Sequence, residues 1–518
     1  MTILVGAAQP SNQVIIMKGL GMAAASAAII VLSGAGQVRA ADLNTVPVKA
    51  PVAPKDPVCM SVGDFFTTDC RLIWQGVRFY GTLDGGYGYQ TNGARFEKLA
   101  SSGVNTYLGQ PNLGGKWLPS PNVLSLSNVG LDIKEPLAAG WSFIGRVEVQ
   151  FDPYALEILN GPRSVSNNIG VPLALQTSAG DSNSQGTFYT GQGIAGISHS
   201  TWGSLTFGRQ GTLMADALLA FDPEARASVS PLGFFGSYAG GGDTENSRAT
   251  TSAKYRVAYD KFHFGLFGQF GGYEQGNASR GAFQGDVGAD FNVGPGVLST
   301  DLIGGYTKDA VTVFLSGPVN KIGYPVDPYT STNEVMFAKL SDNTSIMAVM
   351  KYSVDRLKLY AGYQLTEFAN PSDPFTVSGT GFTDISGDFI CFACGNINGT
   401  NISSTAYTKH KIQQLVWVGG TYALTPALDL TGAYYHVGQN DFSNGGQSAA
   451  GGTCAVARTA LSSCSGTLDA ASVILDWKFA PKWDTYITTA YERLGGGFDY
   501  GYLANNNWST MSGVRFRW

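Results

Sequence analysis

The chain has 518 residues, of which only 14% are charged while 12% are aromatic and 68 are Gly. That length admits one large barrel or three ordinary domains, and the Gly and aromatic content suits many strands better than helices. A formal net charge of −5 excludes the strongly basic surface that a nucleic-acid partner needs.

The one long apolar run lies near the start, at Met22–Leu32. Lys18 supplies a positive n-region, residues 19–32 an apolar h-region, and Val38-Arg39-Ala40 a cleavage site before Ala41. Residues 1–40 are therefore expected to be a secretory signal peptide; the run is shorter than the ~20 residues a spanning helix requires. Met1 and Met17 are both available starts. Lys18 and Arg39 are the only charges in this stretch, so the remainder carries 31 basic and 38 acidic residues, net −7.

Residues 41–76 follow as a periplasmic lead-in. Asp42–Pro57 is rich in Pro, Ala and Lys and reads as an extended linker, and Cys59 and Cys70 bound a small loop. The other four Cys are also locally paired, Cys391 with Cys394 and Cys454 with Cys464. Export favours disulfides for all six. Zinc at Cys391-x-x-Cys394 would need two more ligands at matching spacing, and nine residues separate Cys454 from Cys464, so no metal is expected.

From Val77 the chain repeats one unit: a strand, a tight turn, a strand, then a longer polar loop. In Val77–Gln90, Phe79, Gly81, Leu83, Gly85, Tyr87 and Tyr89 share one side, and Arg78, Tyr80, Thr82 and Asp84 the other, because side chains alternate with period two. Seven short turns are read near 134–140, 198–203, 259–262, 292–297, 353–357, 422–427 and 479–483, each joining segments of roughly ten residues, as tilted spanning strands require. Val123–Ile133 is the weakest strand, with serines where apolar residues are expected. The last segment places Trp508, Thr510, Val514, Phe516 and Trp518 on one side and Ser509, Arg515 and Arg517 on the other.

Seven hairpins and the two end strands make sixteen. The expected fold is all-β, a closed transmembrane antiparallel β-barrel over 77–518, apolar toward lipid and polar toward a wet lumen. Eight long connections then share the extracellular face: 91–122, 152–186, 211–247, 274–281, 309–343, 368–410, 439–466 and 495–506. Gly191-Gln-Gly-Ile-Ala-Gly196 fits a dinucleotide-binding pattern but lies within an alternating strand with no helix after it. The four His show no ligand spacing, and no nucleophile turn accompanies a Ser/His/Asp set. No enzymatic role and no cofactor are expected.

Several segments carry a family resemblance. Phe79-Tyr-Gly-Thr-Leu-Asp-Gly-Gly-Tyr87, Val129-Gly-Leu-Asp-Ile-Lys-Glu-Pro-Leu137 with the strand ending in Glu148, Trp202-Gly-Ser-Leu-Thr-Phe-Gly-Arg-Gln210 and Lys254-Tyr-Arg-Val-Ala-Tyr259 resemble the trimeric sixteen-stranded general porins of Gram-negative bacteria. The Cys-bounded segment before the first strand is similar to those of alphaproteobacteria. Terminal Trp518 departs from the usual Phe. The resemblance implies a homotrimer in outer-membrane lipid and lipopolysaccharide. It also implies passive diffusion of ions and small hydrophilic solutes, and a third loop folded into the lumen.

Gly211–Ser247, about 37 residues with Asp216, Asp222, Glu224, Asp243 and Glu245 against Arg226, is the candidate constriction loop. Opposing bases would come from lumen-facing Arg78, Arg146, Lys254, Arg256 and Lys358, with Glu148 placed to pair with Arg146; acids facing bases across a pore weight ions of either sign. Arg209 is expected outward, at the rim or a subunit contact. A substrate-specific channel, a receptor or adhesin on a plugged barrel, and a soluble β-rich enzyme are the competing readings. An aromatic track would mark the first, and long loops 309–343 and 368–410 permit the second.

Overall fold

Sixteen antiparallel strands carry the alternation through one closed sheet. They are β1 (Val77–Gln90), β2 (Asn128–Pro136), β3 (Trp141–Phe151), β4 (Gly193–His199), β5 (Gly203–Gly211), β6 (Arg248–Tyr259), β7 (Phe262–Gln269), β8 (Gly281–Val293), β9 (Gly296–Ala310), β10 (Ser341–Val354), β11 (Leu357–Ala369), β12 (Lys411–Thr425), β13 (Leu428–Gln439), β14 (Gly466–Ala480), β15 (Trp483–Gly496) and β16 (Asn506–Arg517). The structure, a computed structural model, describes residues 57–93, 114–154, 158–159, 191–233, 248–272, 277, 279–310, 341–370, 372, 409–441, 465–496 and 504–518. Each strand pairs with its neighbour in sequence, and β16 closes the ring on β1 in a register running from Ser509↔Gln90 to Arg517↔Thr82. Among the described residues, three further short strands, Leu72–Trp74, Lys116–Pro119 and Ile158–Leu159, pair at the strand ends.

The seven short turns fall where the sequence places them. Asp260 and Asp355 take positive φ (54° and 48°) in two of the tightest, a conformation that Asp tolerates because its side chain can bond its own backbone. Outward positions such as Phe79, Leu83, Tyr87, Trp477 and Ile487 are exposed apolar groups, while inward Asp84, Gln90, Asp484 and Thr488 are buried. Strand lengths depart from the expected ten, reaching 15 residues in β9, β12 and β14, so those strands extend past the apolar band.

Two local expectations are corrected. The second strand begins at Asn128, not Val123; residues 120–127 leave the wall and turn inward, which is why serines stand where outward apolar residues were sought. Phe516, expected to meet lipid, is covered by the segment before the barrel. Cys59 and Cys70 are joined in a disulfide that brackets α1 (Val62–Thr67), capped by Ser61, whose Oγ accepts from Asp64 N (3.0 Å). Phe65 and Phe66 lie 5.6 and 5.5 Å from the Phe516 ring. Lys482 Nζ donates to the Phe65 carbonyl (2.9 Å) and Trp483 Nε1 to that of Phe66 (3.2 Å). Cys391, Cys394, Cys454 and Cys464 lie outside the described residues.

The Cys59–Cys70 bond closes a short loop, and such cross-links stabilise by about 2 to 3 kcal/mol. Cys59→Ser, or reduction, should lower the temperature at which the folded form disappears on a detergent gel by several degrees. An unchanged temperature would mean that α1 stays docked without the bond.

Candidate functional site

The site is built from the loop after β5. Thr212 caps α2 (Leu213–Phe221) by accepting from Ala215 N (3.2 Å). The helix lies inside the barrel: Leu213, Met214, Leu218 and Phe221 bury against Phe267, Ile303, Met347, Leu415 and Trp417 of the wall. Met214 N donates to Gln284 Oε1 (3.0 Å), and Trp417 Nε1 to the Phe221 carbonyl (3.1 Å). Lys351 Nζ stands 5.4 Å from the Phe221 ring. Gly419 gives Pro223 room, since a Cβ there would lie 2.6 Å from Pro223 Cγ. Ala225 and Arg226, with φ of 48° and 65°, reverse the chain.

The three loop acids face the wall, not the opening. Asp216 Oδ2 accepts from Lys254 Nζ (2.6 Å) and Arg256 Nη2 (2.9 Å), and Arg256 also reaches Asp286 (3.3 Å). Burial pushes the Asp216 carboxyl up, but Lys254 and Arg256 outweigh it and hold it below the usual range. Lys254 and Arg256 are thus spent on holding the loop. Asp222 and Glu224 are 2% and 5% exposed and share the Tyr435 hydroxyl, which donates to Asp222 Oδ1 (2.7 Å) and Glu224 Oε2 (3.1 Å). Ser472 donates to Glu224 Oε1, and Asp222 takes the Arg226 N–H (2.9 Å). Burial, and then the neighbouring Asp222, push the Glu224 carboxyl up to about 8; burial likewise raises Asp222. Asp243 and Glu245 lie outside the described residues.

This gives a pH prediction. Docked, Glu224 keeps its proton up to about pH 8; released, it ionises near its ordinary 4.5. The Glu224 contribution to docking is therefore full below about pH 4.5, weakens as pH climbs from there toward about 8, and is level above that, while the Asp216 contribution is lost only as pH falls below its free value of 3.8. Flicker in single-channel recordings should grow with pH across that window, and Glu224→Gln should flatten the trend. A wild-type trace equally quiet throughout would refute it.

The opposing cluster stands on β1–β3. Register sets Arg78 opposite Asp132 and Asp132 opposite Arg146, a row of three charges on the inner face. Arg146 clasps Asp132 through Nε (2.5 Å) and Nη2 (3.2 Å), so its partner is Asp132 and not Glu148. Cross-strand neighbours on one face lie closer than the expected i, i+2 pair. The Tyr80 ring lies over Gly130, where a Cβ would sit 2.5 Å from it. Arg78 and Arg146 approach that ring at 5.8 and 5.5 Å, and Tyr80 donates to Glu148 Oε2 (2.9 Å). The Arg146 and Asp132 side chains remain 39% and 27% exposed, so this row still meets solvent. Lys358, inward on β11, is exposed as well.

Arg209 is buried and donates to Thr250 Oγ1 (3.2 Å). The register slip between Gly208 and Gln210 puts the extra residue on β6, and Thr206 Oγ1 still donates to Gln210 Oε1 (2.6 Å), so alternation runs through β5 unbroken; Arg209 is nevertheless covered and is not an exposed rim residue. Asp132 and the segment 120–127 were missed by sequence reasoning. Asp132 had a signal, being inward by alternation in β2 once that strand starts at Asn128. The apolar inner wall had one too: Leu302-Ile303, Ile346-Met347 and Leu415-Val-Trp-Val418 are apolar at both parities, the mark of a strand covered on both faces.

A family model for Gram-negative porins matches residues 24–497. The fold is similar to an anion-selective porin from Comamonas acidovorans, with TM-score 0.51, 14% identity, and 85% of this chain and 99% of that one covered. It is also similar to OmpT of Vibrio cholerae, with TM-score 0.48, 14% identity, and 86% and 99% covered. No curated protein sequence matches.

Proposed function

The chain belongs to the Gram-negative porin family and is an outer-membrane channel, and from that premise we propose that it is a water-filled, non-enzymatic pore for passive diffusion of ions and small hydrophilic solutes. It works as a homotrimer in a bilayer of phospholipid and lipopolysaccharide, narrowed by the loop 211–247 and weakly selective by charge. The observation that carries this reading is the solvent-facing Arg78–Asp132–Arg146 row, standing on the inner wall of a barrel whose third loop is folded inside. Loop acids that grip the wall hold the constriction in place, and the exposed row supplies the field. Two Arg offset by Asp132 and Glu148 leave little net charge, so selectivity is weak.

The test is single-channel recording of refolded protein in a planar bilayer under a salt gradient. Stepwise currents in triplets, with a small reversal potential, support the proposal. A folded barrel without conductance would overturn it and favour a receptor or adhesin on a plugged barrel.

A further inference from the structure

A second stretch of chain enters the lumen. Residues 120–127, the return limb of the first long loop, fold inward between β1 and β3. Val123 is fully buried and Leu124 nearly so, in a cluster with Ala227 and Val229 of the third loop and with Ile474, Tyr486 and Met511 of the wall. The Ser228 N–H donates to the Val123 carbonyl (2.7 Å), tying the two inward segments to each other.

One side chain organises this limb. Asp84 is 0% exposed. Its Oδ2 accepts the N–H groups of Leu124 (2.8 Å) and Ser125 (2.9 Å). Its carbonyl accepts from Asn122 N, and its own N–H donates to Ser127 Oγ (both 3.0 Å). Tyr486 donates to Oδ1 from the far side. An apolar residue at 84 would leave two buried N–H groups and a tyrosine hydroxyl unpaired, and each such loss is costly.

We infer that Ser120–Ser127 is a second wall of the pore constriction, pinned by Asp84, and that it fixes the third loop from the side opposite β6–β13. Asp84 is a positioning residue for permeation. The inference rests on the channel reading and adds to it an opening bounded by two loops, so that its bore depends on both.

Asp84→Ala should free the limb and raise single-channel conductance roughly 1.5-fold, since current through a wet pore follows its open cross-section. Asp84→Asn, which keeps an acceptor oxygen, should fall between it and wild type. The pair Val123→Ala with Leu124→Ala loosens the apolar contact while sparing the Asp84 bonds, and should widen the pore even if Asp84→Ala fails to fold. Leu126→Cys, on the half-exposed part of the limb, should lose current when labelled by a bulky charged thiol reagent, with wild type as control. Loss of thermal stability with unchanged conductance, and no block at Leu126→Cys, would reduce the limb to a structural filler and overturn the inference. Silence of the wild-type protein would instead strike the channel reading itself.

Discussion

Arg146→Glu makes the channel cation-preferring, and Asp132→Asn makes it anion-preferring. Arg78, Arg146, Asp132 and Glu148 together are neutral in the wild type; the first change takes the cluster to −2 and the second to +1. A unit charge about 8 Å from the path contributes roughly 0.5 kcal/mol to each ion at the dielectric constant of water. After screening at moderate salt, this is on the order of tenfold in the cation-to-anion ratio for Arg146→Glu and about threefold the other way for Asp132→Asn. Both residues are partly exposed, so neither change strands a buried partner. Reversal potentials measured on the two variants under one gradient decide the matter. Shifts of the same sign, or none, would remove the row from the permeation path.

Trp417→Ala opens the pore by undocking the third loop. Trp417 is 0% exposed, fills the space beneath Phe221 and bonds its carbonyl. Truncating such a core aromatic costs about 3 to 5 kcal/mol, and here the loss falls on loop docking, because the flanking strand ladders of β11 and β13 do not use the indole. Conductance should rise and become noisy while the barrel keeps its heat-modifiable form. Deleting roughly half of 211–247 sets the upper limit of that rise. A Trp417→Ala channel as quiet and narrow as wild type, in a folded barrel, would show that the loop does not depend on this contact.

The barrel was legible because period-two alternation and turn chemistry act locally: each hairpin announces itself within about thirty residues. The site was less so. Asp216, Asp222 and Glu224 were singled out as candidates to line the constriction, but a sequence carries no sign of which way a loop side chain turns once the loop is inside. For Asp222 and Glu224 it is Tyr435 and Ser472, more than two hundred positions away, that decide. Arg209 was placed by alternation at the rim or a subunit contact, and its cover by Thr250, 41 positions along the chain, left no sign in the local pattern. Asp84 was read as one more wet-side position, because the groups it holds lie some forty residues on.

The junction of β16 with β1 sets an order of events in biogenesis. All other neighbouring strands are consecutive, but this pair joins residues as far apart as Thr82 and Arg517, 435 positions along the chain. Until the end of the chain arrives, every partly assembled form carries two open edges, each able to recruit a foreign strand. Such long-range pairing is slow because loop-closure entropy is lost before contacts reward it. The disulfide-bracketed helix touches β15, β16 and, through Leu72–Trp74, β1, so its full seat exists only after the ring has shut. Its full docking therefore cannot precede closure, and protection of that helix from protease would time the moment the ring shuts.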